Sequence, residues 1–160
     1  TLDRSSAASD VYKRQGKGYL FLGKSGTGKS THTGLWLQQF SDCHLLNDDN
    51  PIVHVDSLGK QATVFGSPWS GKTPCYRKES MTVGAFVRLE QAPQNEIEQE
   101  RAAHAFATLL PSCSCLKQNK EIYNAIVATV TELATLAPVY HLKCLPDREA
   151  TELCRKTVEG

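Results

Sequence analysis

The stretch Gly23-Lys24-Ser25-Gly26-Thr27-Gly28-Lys29-Ser30-Thr31 joins three glycines to two lysines and a group of hydroxyls. It fits the pattern G-x-x-x-x-G-K-[ST]. The glycines let successive backbone N–H groups turn inward and approach phosphate oxygens with no Cβ in the way. A helix that starts near Lys29 aims its unpaired N–H groups and the positive end of its dipole at the same charge. Lys29 supplies a mobile cation for β- and γ-phosphates, and Ser30 offers a hydroxyl to Mg²⁺. From average residue frequencies the bare pattern arises by chance in well under about 1% of chains this long. The chemistry read here is binding of a nucleoside triphosphate through Gly23, Lys24, Ser25, Gly26, Thr27, Gly28, Lys29, Ser30 and Thr31.

Two further groups of residues suit that chemistry. Asp48-Asp49 follows Lys29 by about twenty positions. One carboxylate there completes a Mg²⁺ shell with Ser30, and the second accepts a proton from an attacking hydroxyl. The competing reading is a plain turn, since Asn47, Asp48 and Asn50 all favour turns. The segment Gly66-Ser67-Pro68-Trp69-Ser70-Gly71-Lys72, followed by Arg77 and Lys78, reads as a shaped loop that presents Lys72 and Arg77 to phosphate or substrate; the alternative is a surface loop with solvated cations. His32 lies just inside the loop's helix and reads as structural. His44, His54, His104 and His141 have no partner at a recognisable spacing and are not read as ligands.

The elements that must position these residues follow from pattern. Tyr19-Leu20-Phe21-Leu22 is a short apolar run ending at the Gly-rich loop, which predicts a buried strand. The spacing predicts a helix over 29–40 and a strand over 43–46 that ends at the acidic pair. A hairpin is predicted over 52–56 and 61–65 around Ser57-Leu58-Gly59-Lys60, then a loop over 66–78. A strand over 83–89 follows, then a helix over 96–110 stopped by Pro111 and an amphipathic helix over 121–137 carrying Ile122, Ile126, Val130 and Leu133 on one side. A strand over 139–145 and a helix over 147–158 complete the chain. Strands and helices mixed with a hairpin predict an α/β fold around a mixed sheet.

With 160 residues, 40% of them hydrophobic and 22% charged, and a formal charge of +1, the chain is one domain's worth of ordinary globular sequence. It lacks the concentrated basic field that nucleic acid or an acidic membrane requires, so neither is expected as a partner. No apolar run approaches the roughly 18 residues that span a bilayer, and a cytoplasmic location is expected. Six cysteines stand at spacings unlike zinc ligands and read as scattered reduced thiols. Residues 1–15 contain Ser5-Ser6-Ala7-Ala8-Ser9-Asp10-Val11-Tyr12-Lys13-Arg14-Gln15, which resembles a translated sequencing adaptor. They are expected to be a non-native or disordered tail, with the domain spanning 16–160 and a natural N-terminal part lying further upstream.

Together, Gly23 to Thr31, Leu45-Leu46-Asn47-Asp48-Asp49 and Gly66 to Lys72 resemble the HPr kinase and ATP-dependent phosphoenolpyruvate carboxykinase superfamily, and more closely the short bacterial HPr serine kinase-like proteins. Val83-Gly84-Ala85-Phe86-Val87-Arg88-Leu89-Glu90-Gln91 and Pro138-Val139-Tyr140-His141-Leu142 add to the resemblance. It implies a P-loop kinase domain on a mixed sheet, ATP with Mg²⁺, and transfer of a phosphoryl group to a serine-like hydroxyl of a protein, peptide or small molecule. It implies that Lys29 and Ser30 hold phosphates and metal, while Asp48 and Asp49 share metal binding and base duty. The chain departs from the family's pattern before the phosphate loop, where upstream strands and a histidine are expected. It also lacks the signature stretch of true HPr kinase/phosphorylases after the acidic pair. The alternative readings are a carboxykinase-like enzyme and a nucleotide-binding regulatory module without chemistry.

Overall fold

The computed structural model describes residues 8–13, 17–23, 28–41, 43–47, 52–56, 58, 60–65, 80–112 and 120–159. Within them the chain runs β1 (Ala8–Lys13), β2 (Lys17–Leu22), α1 (Lys29–Gln39), β3 (Cys43–Asn47), β4 (Ile52–Asp56), β5 (Gln61–Phe65) and β6 (Ser80–Gln91). It continues with β7 (Glu96–Gln99), α2 (Ala102–Ser112), α3 (Lys120–Leu136), β8 (Val139–Cys144) and α4 (Arg148–Val158). The described strands form one mixed sheet in the order β3-β1-β2-β6-β5-β4, with β8 beside β6 and β7 beside β8. The expected α/β architecture on a mixed sheet is the one observed.

Alternation along β2 explains the layering. Tyr19 and Phe21 point to one face, where they meet Trp36 of α1 and Cys154 of α4, together with Ala85, Val87, Leu89 and Leu142. Leu20 and Leu22 point to the other face and meet Ala105 and Leu109 of α2 and Val130 and Leu133 of α3. Helices therefore cover both faces, and β2 is buried from Gly18 onward. A strand buried on both sides reads as a continuous apolar run, as this one does.

A bulge in β6 keeps both faces in register. Gly18 pairs with Val83 but Tyr19 pairs with Ala85, so Gly84 is the extra residue. Val83 and Phe86, an odd number of positions apart, then face α3 together, while Ala85 and Val87 face α1. Gly84 has no room for more: a Cβ there would lie 2.7 Å from Cε1 of Tyr19, a ring that is 2% exposed and packed on Trp36. Alanine in place of a strand glycine ordinarily gains roughly 0.5–1 kcal/mol. Here the overlap reverses the sign, and Gly84→Ala is expected to lower unfolding stability by about 1–3 kcal/mol, read as a shift in the denaturant midpoint. An unchanged or raised midpoint would contradict this packing.

Three elements differ from sequence expectation. Ala8–Lys13, set aside as part of a tail, pairs antiparallel with β2 on one side and β3 on the other. Its Val11-Tyr12 core has high β propensity, and the sheet offers a slot between two parallel strands. Glu96–Gln99 is a strand rather than the start of a helix, because Ile97 alternates inward to the core while the strand pairs with β8. Helix α2 therefore starts at Ala102, and it runs through Pro111 to Ser112. Along α3, Val130 and Leu133 bury as expected, whereas Ile122 stays 41% exposed. No helix among the described residues is long and apolar enough to cross a membrane.

Candidate functional site

Strand direction decides what gathers around the Gly-rich loop. β2 and β6 run parallel, and β8 runs parallel to β6. β1 is antiparallel to both β2 and β3, so β3 runs the same way as β2. The carboxyl ends of β2, β3, β6 and β8 thus share one edge of the sheet. Asn47, the last residue of β3, pairs with Asp10, which pairs with Leu20 of β2. Two strand spacings, about 10 Å, separate β3 from β2 at that level.

The loop leaves β2 at Gly23 and re-enters regular structure at Gly28, whose φ of 94° and ψ of 21° place it in the left-handed region. A Cβ at Gly28 would meet nothing within 4 Å, so glycine is required by backbone angle and not by space. Helix α1 begins at Lys29 with no side-chain cap and no acidic residue in its first turn. Helix α4 begins just past the carboxyl end of β8 and is built the opposite way. Asp147 caps it by accepting from Ala150 N at 2.9 Å, and Asn95 donates to the same carboxylate at 3.1 Å. The positive end of α1 is left to the loop.

Lys29 is 8% exposed, and its Nζ donates to the carbonyl of Gly23 at 3.0 Å. This bond joins the two ends of the loop. Ser30 and Thr31 are exposed on the first turn. Lys24, Ser25, Gly26 and Thr27 lie outside the described residues, as do Asp48, Asp49, Lys72 and Arg77. Of the expected metal set, the structure describes Ser30 alone. Among the described residues no group of three or more His, Cys, Asp or Glu side chains gathers as a metal site.

Trp36 seats α1 on the sheet. Fully buried, it packs against Tyr19, Phe21 and Phe40 at centroid distances of 5.9, 5.6 and 5.2 Å. Its Nε1–H donates to Nε2 of His32 at 3.0 Å, so that nitrogen carries no proton and the ring is neutral. His32 is therefore structural, as expected, lying 5.1 Å from the Phe21 ring. Below Trp36, Gln39 donates to Glu152 at 2.7 Å and Arg155 lies 4.2 Å over the Phe40 ring, which ties α1 to α4.

Burial holds the pKa of His32 down to about 4 from the usual 6.5. The unfolded chain takes up this proton near pH 6.5 and the folded chain only near 4, so stability is full above 6.5. It declines as the pH falls between those values, by about 3 kcal/mol in all, and levels off below 4. His32→Gln, which retains an acceptor for Trp36, is expected to remove that component from the stability-versus-pH curve. Parallel curves for the two proteins would contradict it.

Cys43, Cys144 and Cys154 are free thiols, and burial pushes the Cys154 thiol upward, away from reactivity. His141 does have a partner that spacing could not show. Its Nε2 lies 2.6 Å from Oε2 of Glu90, across the β6–β8 pair. Sequence separation of 51 residues hides such a contact until the strands are paired. No protein-family model matches this chain, and no curated protein matches it.

Proposed function

We propose that this chain is a P-loop kinase that binds Mg²⁺-ATP and phosphorylates a serine-like hydroxyl of a protein, peptide or small molecule. The observation that carries the reading is the loop between β2 and α1. A buried lysine reaches back to the loop's first carbonyl beneath a helix N-terminus that has neither a capping side chain nor an acid in its first turn. Those residues fit a polyphosphate: a buried ammonium, open N–H groups and no competing carboxylate on that turn. Within this reading, Lys29 holds negative charge on the β- and γ-phosphates, and Ser30 faces the metal. Bound there, Mg²⁺-ATP supplies an activated γ-phosphoryl group whose charge the metal partly neutralises.

Asp48 and Asp49 follow β3 directly in the chain, and β3 ends on the same sheet edge as β2. The reading gives them metal binding and acceptance of the hydroxyl proton. Lys72 and Arg77 are assigned to contacts with phosphate or substrate. The resemblance to HPr serine kinase-like proteins supports the same assignment.

Asp48→Asn and Asp49→Asn are expected to lower ATP turnover by about 10²-fold or more, the range of a lost base or charge-stabilising group, while Mg²⁺-ATP still binds. A binding module without chemistry gives a different result, in which both variants alter only the Mg²⁺ dependence of binding and the parent shows no turnover.

A further inference from the structure

An open α/β sheet whose crossovers leave towards opposite faces has a crevice outside the carboxyl ends of the two strands where they diverge. In this chain β2 leads into α1, which covers one face, whereas β6 leads through β7 into α2 and α3, which cover the other. β2 and β6 are adjacent and parallel, with Leu22 beside Arg88. The crevice therefore lies between the start of the phosphate loop at Gly23 and the last residues of β6.

That end of β6 is built with paired polar side chains. Arg88 donates through Nε and Nη2 to Oε1 of Glu100 at 3.3 and 3.1 Å, and Thr108 of α2 donates to Oε2 at 2.6 Å. The Glu100 side chain is 6% exposed, so this bond set anchors the floor. Glu90 follows Arg88 on the same face of the strand and sits one step further out. Its Oε2 is engaged by His141, which is 11% exposed, while the Glu90 side chain is 52% exposed. A half-exposed pair of this kind adds little to stability. What it does provide is a carboxylate held in one orientation at the rim of the crevice, with Oε1 turned to solvent chemistry. Glu96 and Glu98 of β7 stand opposite Lys143 and His141 in the ladder and are exposed, so among the described residues this rim has more carboxylates than cations.

We propose that Glu90 and His141 form the acceptor side of the crevice and bind a hydroxyl compound that is neutral or cationic, Glu90 Oε1 accepting a hydrogen bond from its hydroxyl or ammonium group. This rests on the kinase reading for the role of the bound compound, though not for its binding. The same charge balance disfavours dicarboxylates and so weighs against a carboxykinase-like substrate.

The test is nuclear magnetic resonance on the full chain without nucleotide, following the His141 ring signals and the backbone amides of Arg88 to Gln91. Ethanolamine and glycolate serve as probes, each a two-carbon compound with one hydroxyl and with opposite charge. Ethanolamine is expected to shift these signals saturably at millimolar concentration, at least tenfold below the concentration at which glycolate does. Glu90→Gln, with an unchanged denaturation midpoint, is expected to weaken the ethanolamine effect about tenfold. Glu90→Ala serves as a second variant should the first fold poorly. Equal or stronger binding of glycolate, an ethanolamine response that survives both substitutions, or no response to either probe overturns the proposal. Because nucleotide is absent, failure to bind Mg²⁺-ATP in a separate titration counts against the kinase reading alone.

Discussion

Lys29→Ala is expected to lower ATP turnover by about 10²- to 10³-fold and to weaken Mg²⁺-ATP binding by about 10- to 100-fold. The binding figure follows from losing one charge-assisted contact worth about 1.5–3 kcal/mol. The larger effect on turnover follows from losing a cation placed where charge gathers in phosphoryl transfer. The side chain is 8% exposed and its Nζ already rests on Gly23 O, so little reorganisation separates the resting position from a phosphate oxygen. Lys29→Arg keeps the charge but replaces a compact ammonium by a wide fork, and it should restore binding only in part. A steady-state assay beside a denaturation curve separates the chemical effect from a folding defect. Full turnover by a folded Lys29→Ala protein would contradict the role given to this residue.

Trp36→Ala should have the largest effect on stability, a loss of about 3–5 kcal/mol. The indole is fully buried at the junction of α1 with β2 and contacts three aromatic rings as well as His32. Against a typical total of about 5–15 kcal/mol, that loss leaves a marginal protein. Trp36→Phe keeps much of the ring packing but leaves His32 Nε2 without its donor, and a loss of about 1–3 kcal/mol is expected. Neither residue touches the loop's phosphate-facing groups. Any fall in nucleotide affinity should therefore follow the unfolded fraction and recover when the protein is cooled into its folded range. A full-strength midpoint for Trp36→Ala would contradict the seating of α1 described above.

Local chemistry was legible in the sequence where one element carried all of it. The strand through Leu22, the turn at Gly28 and the helix from Lys29 were read from consecutive residues, as were the hairpin over 52–65 and the last strand and helix. Features that depend on strand pairing were not. Gly84 looks like an ordinary strand glycine until Tyr19 is laid beside it. Glu90 and His141 become partners only when β6 and β8 align. Glu96–Gln99 was read as helical because charged residues dominate it, yet Ile97 reaches the core once β8 supplies an edge. The adaptor-like composition of residues 8–13 gave no sign that the sheet would accept them between β2 and β3. Asp48, Asp49, Lys72 and Arg77 rest on sequence alone, since they fall outside the described residues.

The central claim is that the loop from Gly23 to Thr31 grips the phosphates of a nucleoside triphosphate. Calorimetric titration of the chain with Mg²⁺-ATP tests it most directly, with Lys29→Ala and a pyrophosphate competition run beside it. The account predicts saturable binding below millimolar concentration, displaced by pyrophosphate and weakened about 10- to 100-fold in the variant. Absence of binding at millimolar Mg²⁺-ATP, in protein shown to be folded by its denaturation transition, would contradict it.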